Sequence, residues 1–313
     1  MTNDLTRRAL LGTVAATALT AATNSAGATK KSAPKARGFR ALDFSNPIDN
    51  VTAYLKLRAA TETRDVFMWF TGTLDMVVPG EPVRPIIAVE SLILRRTERL
   101  APLQWNVTDW EAALYRPLDS DRYLEPGERI RNPVTGREVE PFHYREGPVR
   151  FRFSDREPRI VGSRDILPDT GRPFSYPWRI VNGDLWMTKS SYIRAPNWLS
   201  PKDFPEESSG EQIVVATHSS LRGTLAEVEN PSIDAVRSDF SYTATSGWLP
   251  WMKMGAAPGF VSWAESGRKL LALEEAPPEQ LAALRRHHAD WFSRPEPWPE
   301  FTNTYLQYKA RRR

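Results

Sequence analysis

Trp178-Arg179-Ile180-Val181-Asn182-Gly183-Asp184-Leu185-Trp186 decides the fold. Two β-prone runs flank an Asn-Gly pair. A two-residue hairpin turn needs positive φ at both central positions, and Asn-Gly supplies that at low steric cost. Reading outward from this hairpin, strand patterns recur in both directions. Downstream, Gln212 to Thr217 and Thr224 to Val228 read as strands, and Ser238 to Thr245 alternates Phe240, Tyr242 and Ala244 against polar neighbours. Gly259 to Ala264 and Arg268 to Leu273 read as a further hairpin, turning at Glu265-Ser266-Gly267. Upstream, Val149 to Phe153 alternates strictly, as a half-buried strand does. Val107 to Tyr115 fits another strand. Val66 to Val78 and Pro85 to Leu94 pair about a Pro79-Gly80-Glu81-Pro82 turn. Residues 116–147, dense in Pro, Gly, Asp and Arg, read as a long ordered loop.

Two helices flank this body. Asn46-Pro47 is a cap followed by a first-turn proline, and Ile48, Val51, Tyr54 and Leu55 share a face, so a helix is expected over Pro47 to Leu57. Leu281, Leu284, His288 and Trp291 recur at helical spacing within Pro277 to Phe292. The count is about nine or ten strands. No βαβ alternation, fixed-period repeat or glycine-rich phosphate loop appears in the sequence. The expected fold is therefore mostly β, a single antiparallel sheet strongly curved or closed into a barrel, with a two-sheet sandwich as the alternative.

Composition supports that class. The 313 residues include 26 Pro, 11 Trp and 9 Tyr, which suits strands and ordered loops better than a helix bundle. Cysteine is absent, which excludes disulfides, thiolate catalysis and cysteine-held metal centres. No apolar run reaches the ~18 residues that an ordinary membrane helix needs.

The N-terminus reads as a targeting segment. Thr6-Arg7-Arg8-Ala9-Leu10-Leu11 sets an arginine pair before a short apolar stretch diluted by Thr13, Thr17 and Thr20, and Ala26-Gly27-Ala28 is a small-residue cleavage site. Residues 1–28 thus fit a twin-arginine signal, which implies the export machinery as a partner and a periplasmic or secreted destination. Cleavage removes Arg7, Arg8 and Asp4 and takes one unit off the net charge of +4, and the body shows no basic stripe, so nucleic acid is not an expected partner. Residues 29–42 form a basic linker, 43–300 one β-rich domain and 301–313 a C-terminal tail.

Two stretches carry a family resemblance. One is Trp69-Phe-Thr-Gly72-Thr-Leu74 with Val78-Pro79-Gly80-Glu81-Pro82. The other is Gly247-Trp248-Leu-Pro-Trp251-Met-Lys253-Met-Gly255-Ala-Ala-Pro-Gly259 with Gly267-Arg-Lys269. Together with the twin-arginine leader they resemble the DUF1838 family of bacterial and fungal proteins. The resemblance covers most of 43–275 and implies that the body is one unit. It assigns no catalytic residue.

Candidate chemistry is sparse. The four histidines are His143, His218, His287 and His288. His218 ends a β-prone run before Ser219 and Ser220, and His143 neighbours Tyr144 in the long loop, so either is a candidate acid/base group. The plain alternative is a sheet-edge histidine bonded to a neighbour. His288 falls on the apolar stripe of the last helix and reads as packed, while His287 points away to solvent. Adjacent residues stand about 100° apart on a helix, so these two do not aim at one ion, and no metal-ligand spacing occurs elsewhere. Arg179 alternates with Trp178, and if Trp178 faces out, an inward Arg179 would need a carboxylate or an acidic ligand.

Trp248, Trp251, Lys253 and Met254 concentrate indole, thioether and cation in one segment, either lining a cavity mouth with Tyr242 or plugging the barrel end. No cofactor motif is present. The expectation is an exported protein that binds an apolar or aromatic small molecule in a β-barrel cavity, since about eight strands or more can enclose one ligand. The alternatives are a cofactor-independent lyase, isomerase or hydrolase using His218 or His143 with Tyr144, Asp239, Tyr242 or Arg179, and an envelope interaction module with a filled core.

Overall fold

The computed structural model describes residues 41–161, 170–293 and 297–312. The signal segment and nearly all of the basic linker lie outside the described residues. Twelve strands form among the described residues: β1 (Arg64–Val77), β2 (Arg84–Ala101), β3 (Gln104–Arg116), β4 (Ile130–Arg131), β5 (Glu138–Val139), β6 (Tyr144–Phe153), β7 (Arg159–Val161), β8 (Trp178–Val181), β9 (Asp184–Pro196), β10 (Gln212–Thr224), β11 (Asp239–Ser246) and β12 (Phe260–Leu270). Ten of them make one antiparallel sheet in the order β7-β6-β3-β2-β1-β12-β11-β10-β9-β8, and β4 pairs with β5 apart from it. The order ends at β7 and β8. The sheet is thus a curled half-barrel, the curved form of the expectation, and neither a closed barrel nor a sandwich.

Four α-helices among the described residues accompany the sheet: α1 (Pro47–Arg58), α2 (Leu225–Glu229), α3 (Pro278–His287) and α4 (Thr304–Arg311). Helix α1 starts as its sequence requires, with the Asn46 side chain accepting from the Ile48 N–H at 2.9 Å and Pro47 in the first turn. Its last carbonyls meet basic side chains. Lys269 Nζ donates to Lys56 O (2.5 Å) and Ala59 O (2.7 Å), and Arg95 Nη1 donates to Arg58 O (3.1 Å). Positive charge at a helix C-terminus is favourable. The apolar residues Val51, Tyr54 and Leu55 pack with Met68, Phe70, Val107, Phe153, Met187 and Leu221. Those partners span strands from β6 round to β9, which only the concave face allows, so α1 fills one end of the trough.

The other end is filled by residues 248–254 and α4. Trp248, Trp251 and Met252 are buried there with Tyr305 and Tyr308. The convex face is covered on one half by α3 and the segment after it, where Leu281, Leu284 and Trp291 lie over Leu92, Leu94 and Trp110.

The two resemblance stretches become neighbours, because β1 pairs with β12. Trp69 faces Arg268, and Gly72 faces Glu265. A Cβ on Gly72 would lie 1.9 Å from Ala264 O, and one on Gly267 would lie 2.0 Å from Trp69 O. The backbones approach closely on the concave side here, and glycine permits the sharp curl.

Several expectations are corrected. Glu265-Ser266-Gly267 is not a turn but the middle of β12, since Gly267 serves close strand approach. Thr224 to Val228 leaves β10 and becomes α2, where Val228 packs with Ala53, Leu57 and Val236. The loop over 116–147 contains the β4–β5 hairpin and the start of β6. The last expected helix breaks at His288, whose φ of −139° and ψ of 50° leave the helical region. The expected tail is the docked helix α4, capped by Asn303, whose side chain accepts from the Leu306 N–H at 2.9 Å.

Candidate functional site

Alternation along each strand decides which side chains enter the trough. In β3 these are Asp109, Glu111, Ala113 and Tyr115, in β6 Tyr144 and Glu146, in β12 Trp263, Glu265 and Lys269, and in β11 Phe240 and Tyr242. The register rows bring them together. Glu111 faces Glu146 and Ala113 faces Tyr144. A second row runs from Tyr115 through Val89, Gly72, Glu265, Tyr242 and Ser219 to Lys189. Between the two filled ends, the middle of this face stays partly open. Phe240, Tyr242, Trp263, Ser219 and Lys189 are half-buried, and Glu146 is exposed.

One pole of the trough is a carboxyl and phenol cluster. Tyr144 Oη donates to Glu111 Oε1 at 3.4 Å. Burial, and then the neighbouring Glu146, push the Glu111 carboxyl up to about 7. Burial and Glu111 push Glu265 well above the usual carboxylate range. Glu146 is raised by the trough walls around it, although one side meets solvent. Burial also raises Tyr115, Tyr144 and Tyr242, so these phenols remain neutral hydrogen-bond donors at pH 7. Ser91 Oγ faces the Glu111 carboxyl and Trp251 Nε1 faces Tyr115 Oη along this side, each pair outside good hydrogen-bond geometry. A carboxyl poised near neutrality beside neutral phenols can move a proton or donate to a substrate oxygen.

The other pole is cationic. Asp109 lies between two guanidiniums, with Arg58 Nη2 at 2.8 Å and Arg95 Nε at 3.0 Å. Burial opposes the charge on Asp109, but Arg95 and Arg58 outweigh it and hold the carboxyl below its usual range. Arg58 Nη1 also donates to Tyr54 Oη at 2.8 Å. Tyr54 and Tyr176 pack with centroids 5.0 Å apart, and Lys189 Nζ lies 5.4 Å from the Tyr176 ring centre.

Of the sequence candidates, Tyr144 and Tyr242 join this trough. Trp248 and Trp251 are each 1% exposed and form the plug, with Trp251 5.9 Å from Tyr115 across an edge-to-face contact. Trp248 Nε1 donates to Ala257 O at 2.8 Å. Met254 is buried beside Asn132, and Lys253 is half-buried with a φ of 51°.

His218 is exposed on the convex face, where Nδ1 meets Ser190 Oγ at 3.0 Å. Arg179 is exposed as well. Trp178 turns inward to give its Nε1–H to Asn50 Oδ1 at 2.8 Å, so the condition for an inward Arg179 is not met.

His143 has both ring nitrogens engaged. Nδ1 accepts from the Tyr115 N–H at 2.9 Å, and Nε2 donates to Leu124 O at 2.7 Å. His287 corrects the solvated expectation, because its side chain is 7% exposed and its ring lies 4.5 Å from His143. Burial and the surrounding charges hold His143 at about 4 and His288 at about 3. Among the described residues, no three His, Asp or Glu side chains are arranged to hold a metal ion.

The sequence reading missed Glu111, Glu146, Glu265, Lys189 and Arg58. Their alternation with apolar residues was legible, but the register that assembles them was not. A separate convex groove of about 600 Å³ runs past Asp184, Arg222, Asp239, Arg237 and Glu275. Its charges already pair with one another, Arg222 with Asp184 at 2.8 Å and Arg237 with Glu275 at 2.9 Å.

No helix among the described residues is long and apolar enough to cross a membrane. A family model described as a protein of unknown function, DUF1838, matches residues 63–311. No curated protein matches the chain.

Proposed function

The chain belongs to the DUF1838 family, whose match spans residues 63–311 as one unit, and within that unit we propose that the half-barrel trough binds a small molecule with an apolar or aromatic body. The observation that carries this reading is the cluster of half-buried aromatic side chains in the middle of the concave face. Phe240 and Tyr242 stack there with centroids 6.0 Å apart, and Phe70 adds a third ring 5.8 Å from Phe240. Small-molecule sites are concave and largely apolar, with a few convergent polar groups.

The protein acts outside the cytoplasm in this proposal. Arg7-Arg8, the apolar stretch and Ala26-Gly27-Ala28 support twin-arginine export and cleavage after Ala28. The absence of cysteine suits an oxidising compartment.

A second reading is favoured by the Glu111–Tyr144 contact. It makes the protein a cofactor-independent lyase, isomerase or hydrolase, with Glu111 in the acid–base role that the sequence offered to His218 or His143.

Native and denaturing mass spectrometry of the protein exported in its own host tests the proposal, together with titration of N-phenyl-1-naphthylamine. Expected are a denaturing mass that starts at Thr29 and probe fluorescence that saturates at one equivalent. A native mass without ligand, combined with no probe binding by the folded protein, would overturn the binding reading and leave an interaction module. Turnover of a bound molecule that Glu111→Gln abolishes would select the enzyme reading.

A further inference from the structure

We propose that the occupant of the trough is an organic acid whose anionic group docks between Lys189 and Arg58. This inference rests on the reading that the trough takes an aromatic or apolar small molecule, and it adds the chemical class.

Three other lysines have their donors already satisfied. Lys56 gives Nζ to Val228 O and Asn230 O at 2.9 and 2.6 Å. Lys269 gives its own to Lys56 O and Ala59 O, and Lys309 reaches Trp198 O at 3.0 Å. Lys189 differs from all three. It projects inward from β9 opposite Ser219, it is half-buried, and it pairs with no described carboxylate. Its neighbours are the Tyr176 ring, over which the ammonium sits, and the Tyr176 and Tyr54 hydroxyls, so its partners are neutral phenols and not an anion. A cation removed from water in this way favours an anion or a strong acceptor beside it.

Arg58 reinforces the same point in space. Its guanidinium lies 5.7 Å from the Tyr54 ring, and Tyr54 packs directly on Tyr176. One carboxylate, Asp109, is shared by Arg58 and Arg95. With Lys189, this pole therefore carries three positive charges against one negative. The Tyr54 hydroxyl accepts from Arg58, which leaves its own O–H free to donate to an incoming oxygen.

The far pole suits the anion less. Glu111, Glu146 and Glu265 gather there, held toward their neutral forms, so an anionic group would meet carboxyls in place of the cations that Lys189 and Arg58 offer. The ligand is thus oriented, with its acidic end at Lys189 and its body over Phe240 and Tyr242.

The test uses two probes that share one aromatic body. N-phenyl-1-naphthylamine is neutral, and 8-anilinonaphthalene-1-sulfonate is the same skeleton with a sulfonate. Both are titrated against the folded full-length protein and against Lys189→Met, Lys189→Glu and Lys189→Arg, with melting curves recorded for each. Expected is a loss of sulfonate-probe affinity of at least tenfold in Lys189→Met and more in Lys189→Glu. Lys189→Arg stays within about threefold, and the neutral probe changes less than about twofold throughout. Equal sulfonate affinity in wild type, Lys189→Met and Lys189→Glu would overturn the anion subsite while leaving the trough as a binding site. Failure of the folded wild type to bind the neutral probe would instead overturn the underlying reading. Because Lys189 is half-buried and packs on one ring, the Met variant keeps its apolar stem and retains the fold.

Discussion

Lys189 and Glu265 stand on one register row of the concave face, with Ser219 and Tyr242 between them. Three strand spacings of ~4.8 Å separate them, about 14 Å of arc. A cationic end and a carboxyl end that burial biases toward its neutral form thus face each other across an aromatic floor.

Glu111→Gln should change the pH dependence of stability in a defined direction. The folded pKa of about 7 lies above the ordinary 4.5. Between these values the folded protein holds a proton that the unfolded chain has released, so this group costs stability as pH rises through that window. The variant lacks the cost. It should gain on wild type by roughly 3 kcal/mol between pH 4.5 and pH 8, at ~1.4 kcal/mol per pKa unit. Urea melts at both pH values check this, and a constant difference would refute it.

Asp109→Ala should destabilise the fold by about 3–5 kcal/mol, because it leaves the Arg95 guanidinium, whose side chain is 4% exposed, without its carboxylate. Arg58, at 24%, can turn toward water and loses less. Chemical denaturation gives the number, and a loss below about 1 kcal/mol would mean that water replaces the carboxylate at low cost.

Trp248→Ala should cost about 3–5 kcal/mol through the cavity left in the plug. Probe binding by the folded fraction should survive. An unchanged denaturation midpoint with lost probe uptake would instead make Trp248 a ligand contact.

His288→Leu should reduce acid sensitivity. The folded pKa values of about 4 for His143 and about 3 for His288 lie below the ordinary 6.5. As pH falls below 6.5, the unfolded chain takes up protons that these buried rings refuse. Stability is therefore present above 6.5 and lost on acidification, by ~1.4 kcal/mol per pH unit and histidine. Arg145, Arg286 and Arg311 face the cluster and add to the repulsion, while Glu125 opposes it. The glutamates of the trough drive stability the other way in part of this range, so the readout is the difference between variant and wild-type melts at pH 7.5 and 4.5. Parallel profiles would exclude the histidines as the cause.

Local pattern was legible wherever neighbours in sequence are neighbours in space. Asn182 and Gly183 do take positive φ, 53° and 87°, as a two-residue hairpin demands. The cap and first-turn proline of α1 also stand as read. Glu265-Ser266-Gly267 misled because turn glycines and close-approach glycines share one letter, and only the contact with Trp69 O distinguishes them. His287 and His288 misled because ideal helical spacing does not survive a helix that ends between them. The site itself was illegible for a different reason. Glu111, Glu146, Glu265 and Lys189 come from four strands, and no interval along the chain encodes the rows that align them.

The sheet order makes the molecule two five-stranded meanders that meet along β1 and β12. These strands run antiparallel, so the entry of β1 and the exit of β12 lie at the same end of the seam, where Phe67 faces Leu270. A pull on the two ends of the unit would therefore unzip the seam pair by pair instead of shearing it. The latch at that end is Arg64, which donates to Leu271 O at 3.0 Å and pairs with Asp234 at 3.3 Å, backed by Lys269 against α1. Once that latch yields, the parting line runs through Gly267 and then between Gly72 and Glu265, so mechanical load would split the floor of the trough and release whatever it holds.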